Sequence, residues 1–487
     1  MRAPLWSIPI SSRPRHLSIA HALAFTVVFN ALIIVIFLLL VALYPLRLVP
    51  NCPRARVWHQ RVGKSLFGKL LVVVSRTFFG QLEFVVSSSD SDSPRDVDWV
   101  KRDTNGNVVR VEVPKNSVWI SNHQTLADWL FLWQFFYLTD SSASLYIALK
   151  SSLRSIPVIG TACDWFGFAF LERNWAKDKL SFDRQLHEMA RDCTAGGGNL
   201  DFLLFPEGTI VTANTRGISS RYAAKTGLQD FQHCLVPRST GLFFALRQLA
   251  VRVPSLQLTD LTVGYPLPRR SPDSTSPTAS RSPLYPSEYY SLPSVFLHRV
   301  PPPELHFHLR HYALGDVPLG DLGPLKARLA ARDGRLRAEE IDEGTEEERR
   351  AFDAWLVARW REKDDLLKRF NETGSFVVAS TATAAAADDD DEDEEVEGEV
   401  RWRPRLKNPV RETLEVTAFG FPSLIAAAWG APAIWHASKA LVGMGLAAIA
   451  GRSHAVKGGG TLKEAGSSCG CGKMAGGDLG GIERIEL

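Results

Sequence analysis

Val118-Trp119-Ile120-Ser121-Asn122-His123-Gln124-Thr125-Leu126-Ala127-Asp128-Trp129 is the stretch whose reading decides the fold of this chain. Residues 118–120 form a short apolar run of the kind a buried strand has, and residues 129–138 form an aromatic run long enough for a helix. Between them lies a polar turn carrying a histidine and an aspartate. In an open α/β sheet, ligands bind in the crevice beyond the carboxyl ends of the strands. A histidine at a strand-to-helix turn is therefore placed for chemistry.

His123 and Asp128 lie five positions apart, a rotation of roughly 500° on an ideal helix, which leaves their side chains about 140° apart. They can meet if the helix begins near Thr125 and His123 stays on the preceding turn. The Asp128 carboxylate then folds back to one imidazole nitrogen and leaves the other for a substrate hydroxyl, the base-and-orienter part of a catalytic triad without its serine. Thr125 and Asp128 also have capping-box spacing, in which the carboxylate would serve only backbone donors and the helix dipole. From this stretch alone both readings stand.

Outward from the turn, strand-like runs at 118–121, 146–149, 168–171, 202–205 and 261–265 alternate with helical stretches near 126–138, 177–193 and 240–250. The alternation predicts an α/β fold with a mixed, mostly parallel central sheet flanked by helices. That domain is expected over residues 116–313, interrupted by a Ser/Pro-rich loop at 269–293. Three later stretches carry further chemistry. Gly167-Phe168-Ala169-Phe170-Leu171-Glu172-Arg173 ends a strand-like run on a fixed positive charge, suited to binding a pair of phosphate oxygens. In Phe205-Pro206-Glu207-Gly208-Thr209, Gly208 lets the backbone approach a ligand, and Glu207 would fix a substrate hydroxyl or orient Arg173. In Val236-Pro237-Arg238-Ser239-Thr240-Gly241, Pro237 and Gly241 would shape an apolar slot. Each also has an ordinary structural reading: a surface ion pair, a tight turn, a strand stop.

Composition bounds the rest. A chain of 487 residues with 45% hydrophobic content holds one large core or several smaller ones. With 56 basic and 53 acidic side chains there is no global field to draw nucleic acid, and no nucleic-acid motif occurs. Six cysteines make no disulfide framework, and Cys163, Cys193 and Cys234 read as reduced packing residues. Cys469-Gly-Cys471 has no second pair at zinc spacing, so no metal site is expected.

Residues 18–46 contain no Asp, Glu, Lys or Arg, and the apolar run 22–44 spans roughly 34 Å as a helix, enough to cross a bilayer. It is longer than a signal core, starts late and ends at Tyr44-Pro45 without a small-residue cleavage site, which favours an N-terminal transmembrane anchor. The cations Arg47, Arg54, Arg56, Arg61 and Lys64 outnumber Arg2, Arg13 and Arg15 and place the downstream flank on the cytoplasmic side. The expected organisation is a tail at 1–17, the anchor at 18–46 and a membrane-associated connecting region at 47–115. In that region, 66–79 reads as an interfacial helix with Lys69 and Arg76 snorkelling, or as a soluble-domain helix with two exposed charges. Helices packed on the domain are expected at 314–378, where Thr345-Glu346-Glu347-Glu348 is a capping box opening a helix that runs to Phe370. An acidic disordered linker follows at 379–404, then a membrane-associated segment at 405–450 and a disordered Gly-rich tail at 451–487.

Together and in this order, the four polar stretches resemble the glycerophospholipid acyltransferases of the acylglycerolphosphate acyltransferase type. Asn122, His123 and Asp128 match an Asn-His-x4-Asp block. Gly167, Phe170 and Arg173 match Gly-x-x-Phe-x-x-Arg, residues 205–209 match Phe-Pro-Glu-Gly-Thr, and Val236 with Pro237 matches the proline block. The resemblance spans about 120–310. Residues 129–133, 222–228, 237–241, 306–310 and 355–367 look like the lysocardiolipin and lysophospholipid acyltransferase branch. Ile210 stands where many lysophosphatidate acyltransferases have arginine, which departs from a strict lysophosphatidate preference. The resemblance implies a glycerolphosphate acyltransferase-like fold and a membrane-bound, acyl-CoA-dependent O-acyltransferase. It implies His123 and Asp128 as catalytic residues, and Arg173, Glu207, Gly208, Thr209, Gly167, Pro237 and Arg238 as substrate-binding residues. Acyl-CoA enters as co-substrate with no cofactor or metal, a lysophospholipid or lysophosphatidate is the acceptor, and the lipid bilayer is a partner. The expected location is the endoplasmic reticulum membrane, with the catalytic domain facing the cytoplasm. A CoA-independent transacylase on the same fold and a lipid-binding scaffold without turnover are the alternatives.

Overall fold

The structure is a computed structural model that describes residues 4–14, 18–50, 52–80, 82–89, 100–104, 108–268, 284–331, 341–377 and 399–418. Its strands are β1 (Glu83–Ser88), β2 (Val100–Arg102), β3 (Val108–Val111), β4 (Ser117–Ser121), β5 (Leu145–Lys150), β6 (Ala169–Leu171), β7 (Asp201–Leu204), β8 (Gln257–Gly264), β9 (Glu304–Ala313) and β10 (Glu399–Trp402). The helices are α1 (Ile19–Leu43), α2 (Pro53–Phe78), α3 (Asp128–Leu138), α4 (Ile159–Trp165), α5 (Trp175–Gly196), α6 (Ala213–Thr226), α7 (Thr240–Ala250), α8 (Pro286–Tyr289), α9 (Leu292–Phe296), α10 (Gly323–Ala331), α11 (Glu346–Thr373) and α12 (Pro409–Ala418).

All the strands but β2 and β3 make one sheet in the order β10-β1-β9-β8-β4-β7-β5-β6. From β8 to β6 every pairing is parallel, and antiparallel pairs join β8 to β9 and β1 to β10. The expected α/β class with a mixed, mostly parallel sheet is what forms. The strands read as continuous apolar runs because both sheet faces are covered. Side chains alternate between two cores, as the pleat requires. Trp119, Ile147 and Leu203 join the core that includes residues of α2 and α3, while Val118, Ile120, Phe202 and Leu204 join the one that includes residues of α5, α7 and α11. In register, Ile120 lies beside Leu204 on one side and Asp260 on the other, so β8, β4 and β7 end together along one carboxyl edge.

The helix α1 is long and apolar enough to cross a membrane by length and composition. One face packs on the protein: Phe25 meets Phe78 edge-on, Phe37 stacks on Trp165, and Leu40 lies against Gly63. Ile19, Leu23 and Val27 point outward at 60–68% exposure, a stripe at helical spacing that the protein leaves uncovered.

Several expectations need correction. The 66–79 segment is the second half of α2, and Leu66, Leu70, Leu71, Val72, Val74 and Phe78 are buried in the core. Lys69 pairs with Glu415 of α12, so neither interfacial snorkelling nor two exposed charges describes this face. The 47–115 region is more than a connector, since it supplies β1 to the main sheet. Residues 399–402, placed in the acidic linker, form β10 beside β1. Short runs such as these carry no periodicity of their own, and their pairing partners lie more than 200 residues away. Helix α6, containing Gly217 and ending at Gly227, was not expected at all. The capping box at Thr345 and Glu348 opens α11 as expected. Residues 269–283, the acidic run 388–395, most of the charge-free run 416–438 and the tail 451–487 lie outside the described residues.

Trp402 tests whether β10 belongs to the fold. It is 2% exposed and packs 5.3 Å from the Phe84 ring. Trp402→Ala should lower the unfolding free energy by about 3 kcal/mol, the usual cost of emptying a buried aromatic site. Unchanged urea denaturation in the variant would return 399–402 to the linker.

Candidate active site

The site forms where β4, β7 and β8 end. The chain leaves β4 through Asn122, which is buried and extends the ladder to β8. Asn122 Nδ2 donates to the Val263 carbonyl at 2.9 Å, and the Val263 N–H donates to Asn122 Oδ1 at 2.8 Å. This pins the start of the turn, so that His123 emerges above the sheet edge. Its imidazole stacks on Phe205 from the end of β7, with centroids 4.3 Å apart.

His123 Nδ1 lies 2.8 Å from Asp128 Oδ2. Asp128 opens α3, is fully buried, and also serves the turn. Oδ2 accepts the Gln124 N–H at 2.7 Å and the Thr125 N–H at 3.1 Å. Oδ1 accepts from Thr125 Oγ1 at 2.9 Å and from the Tyr265 hydroxyl at 2.6 Å. The capping role and the histidine contact thus coexist in one carboxylate. His123 keeps 18% side-chain exposure, and Nε2 has no hydrogen-bond partner among the described residues. The arrangement leaves Nε2 open to accept a proton from outside.

Beyond β7, Gly208 takes φ +71°, a left-handed conformation that suits glycine. The Arg238 side chain lies across it, about 3.6 Å from where a Cβ would stand, and the Arg238 N–H donates to the Pro206 carbonyl at 2.8 Å. Arg173, just past β6, also has positive φ, at 63°. Its pKa is lowered by burial and then by the nearby charge of Arg238. Both arginines are exposed residues, and among the described residues no carboxylate pairs with either. Two guanidinium groups sharing a region without a counter-charge suit an anion such as phosphate. Thr209 is half-buried on the same turn, and Pro237 is buried beside Arg238.

Two candidate binding residues sit elsewhere. Glu207 is 2% exposed and points into the interior, where Oε1 accepts from Trp360 Nε1 of α11 at 3.3 Å. Among the described residues it forms no ion pair with Arg173, so orienting that arginine is not its work. Burial pushes its carboxyl up to about 8, against the opposing pull of Trp360, Lys363 and the peptide N–H groups of Leu235 and His123. Gly167 lies at the opposite end of β6 from Arg173. With φ +74°, it faces Tyr146, whose ring would stand 3.2 Å from a Cβ, so its observed role is close packing.

The sequence reading missed the supports supplied by distant elements. Tyr265 follows β8. From α11, Asp364 accepts the N–H groups of Gln232, His233 and Cys234 at 2.6–3.1 Å, and Lys363 donates to the Leu261 carbonyl at 3.0 Å. The apolar spacing of 355–367 identified the helix but not the polar groups interleaved with that spacing.

Residues 105–265 match the sequence model of the family described as Acyltransferase. The chain is 31% identical over 292 residues to the 2-acyl-1-lysophosphatidylinositol acyltransferase of Saccharomyces cerevisiae, covering 54% of this chain and 63% of that protein. It is 32% identical over 263 residues to lysocardiolipin acyltransferase 1 of Danio rerio, covering 53% of each. The chain thus spans between half and two thirds of the length of these curated relatives. The crystallised 1-acyl-sn-glycerophosphate acyltransferase of Thermotoga maritima is 12% identical, with a TM-score of 0.31 over 65% of this chain and 97% of that one.

The Glu207 carboxyl should leave a signature in stability. In the unfolded chain a glutamate ionises near 4.3, whereas here it holds its proton to about 8. Its contribution is fully present below the unfolded value and is lost as the pH rises through the folded one. Glu207→Gln does not titrate. Between about pH 5 and about pH 9, wild-type unfolding free energy should fall relative to the variant by a few kcal/mol. Parallel stability-against-pH curves for the two proteins would show that Glu207 is ionised throughout.

Proposed function

From the premise that this chain belongs to the glycerophospholipid acyltransferase family, with its acyltransferase domain over residues 105–265, we propose that it transfers a fatty acyl chain from acyl-CoA to the free hydroxyl of a lysophospholipid. The observation that carries the reading is the 2.8 Å contact between His123 Nδ1 and Asp128 Oδ2, with Nε2 left toward solvent. In the proposed reaction Nε2 takes the acceptor hydroxyl proton while that oxygen attacks the thioester carbonyl. The carbon–sulfur bond breaks, the new ester forms, and the imidazolium returns the proton to the departing CoA thiolate. No acyl-enzyme is required. Asp128 holds the imidazole in the tautomer that leaves Nε2 unprotonated and stabilises the cation that forms.

Arg173 and Arg238 hold the acceptor phosphate, and the Gly208–Thr209 turn lets the glycerol approach. Positioning of this kind supplies a large share of the barrier reduction in two-substrate reactions. A lysophospholipid is favoured over lysophosphatidate by the names of the similar proteins and by Ile210. The outward apolar stripe of α1 supports an integral membrane protein whose substrates reach the site from the bilayer. Location in the endoplasmic reticulum with the domain facing the cytoplasm is part of the same proposal.

Thiol release from oleoyl-CoA in the presence of a lysophospholipid panel tests the reaction. His123→Ala should lower kcat by at least about a hundredfold, the lower end of what a general base contributes. Arg173→Ala should act mainly on KM for the lysolipid. Acyl transfer between phospholipids without CoA release would favour the transacylase. Lysolipid binding with no turnover in the wild type would favour the scaffold.

A further inference from the structure

We propose that Tyr265 is a positioning residue of the reaction, its hydroxyl locking the Asp128 carboxylate in the orientation that holds His123. This rests on the reading of His123 as the base. Tyr265 follows β8, the strand paired with β4 on the side away from β7, so its phenol reaches the catalytic turn from a separate part of the sheet. It is 2% exposed, and its hydroxyl lies 2.6 Å from Asp128 Oδ1 and 3.1 Å from Thr125 Oγ1.

The origin of the donors, rather than the oxygen they reach, gives the contact its meaning. On Oδ2 the aspartate receives His123 Nδ1 together with the N–H groups of Gln124 and Thr125, all from its own turn. The terminal torsion of an aspartate is broad and roughly two-fold. Thr125 also reaches Oδ1, through its N–H at 3.1 Å and its hydroxyl at 2.9 Å, so the turn holds both oxygens, and donors drawn from that one short segment leave the carboxylate room to move with the segment. A donor on Oδ1 from β8 ties it to a second rigid element. The phenol remains a donor across the working pH range, because burial and the neighbouring Asp128 push its pKa well up. The ring itself is fixed: it packs 5.5 Å from Tyr290, whose hydroxyl donates to the Pro266 carbonyl at 2.7 Å, one residue past Tyr265.

The ordinary reading is that a buried phenol has taken the nearest acceptor and matters only for stability. The two readings differ in kinetics. Turnover of oleoyl-CoA with lysophosphatidylinositol is measured in detergent for the wild type, Y265F, D128N, the double variant and H123A. A fifth variant, Y137F, serves as control; it removes a buried phenol hydroxyl bonded to Glu412 near the far end of α3. Y265F is expected to lower kcat about tenfold, leave both KM values within about twofold, and have less than about a twofold effect once Asp128 is already Asn, since residues that act as a unit are non-additive. Y137F is expected to match the wild type. A Y265F kcat within about twofold of the wild type, or equal fold-losses in the two backgrounds, overturns the proposal. If Y265F does not fold, 3-fluorotyrosine at position 265 keeps the packing and alters only the strength of the donor. An unchanged kcat in that protein overturns the proposal equally. Full turnover by H123A would instead sink the base assignment, a failure distinct from that of Tyr265.

Discussion

The carboxylate of Asp128 is fully buried and has to be satisfied by donors of the protein, and the candidate site is organised by the way that is done. A buried carboxylate without partners is strongly disfavoured. Here the donors come from His123, from the backbone of Gln124 and Thr125, and from the Thr125 and Tyr265 hydroxyls. Each donor constrains something different. The two backbone groups set the turn between β4 and α3, the phenol ties that turn to the end of β8, and the imidazole is the one partner that also faces outward. The start of a helix and the orientation of a base are therefore one requirement. A helix-start aspartate without the histidine would cap equally well, but a histidine at this position without the aspartate would have no fixed tautomer.

Glu207 shows the opposite solution to the same problem a few residues from the site. Its side-chain partner is Trp360, and burial outweighs the pull of that donor, of Lys363 and of nearby peptide N–H groups, keeping it neutral up to about pH 8. A neutral acid beneath the Phe205 turn packs and accepts hydrogen bonds without imposing a negative field on the neighbouring arginines. That leaves Arg173 and Arg238 as the dominant charges on the outer side of the turn, the polarity a phosphate-bearing substrate requires. Helix α11 lies outside the matched acyltransferase stretch, yet Trp360, Lys363 and Asp364 reach Glu207, the end of β8 and the 232–234 backbone. The domain over 105–265 therefore has its floor built by a helix beyond its C-terminal boundary.

Much of the sheet was legible because parallel strands covered on both faces read as continuous apolar runs, and helical stretches were readable after β4 and on either side of β7, though not between β5 and β6, where α4 lies. β8 was recognised only over its second half, where Leu261 to Gly264 is apolar; Gln257, Thr259 and Asp260 break the earlier pattern. β1 and β10 were missed for a different reason. Both are short, β10 at the sheet edge and β1 between it and β9; their stability comes from pairing with residues more than 200 positions away, and nothing local marks them. The apolar half of α2 has the composition of a membrane-surface helix, and what distinguishes it is the presence of α1 and α3 to cover it.

By itself, the sequence determined the chemistry on offer: a histidine and an aspartate at a spacing that joins them across a helix start, one arginine past a strand end and another just before a helix, and an apolar N-terminal helix. Those follow from local geometry, since a turn of five residues and the end of a strand are governed by the residues within them. Tertiary structure alone decided which groups are buried and which face outward at the candidate site. Glu207 and Gly208 are adjacent in sequence, yet one lies in the core under α11 and the other under the Arg238 side chain. Tyr265 reaches Asp128 only because β8 pairs with β4. Burial and donor supply are properties of the packed sheet, and they decide whether a carboxyl holds a base or a proton.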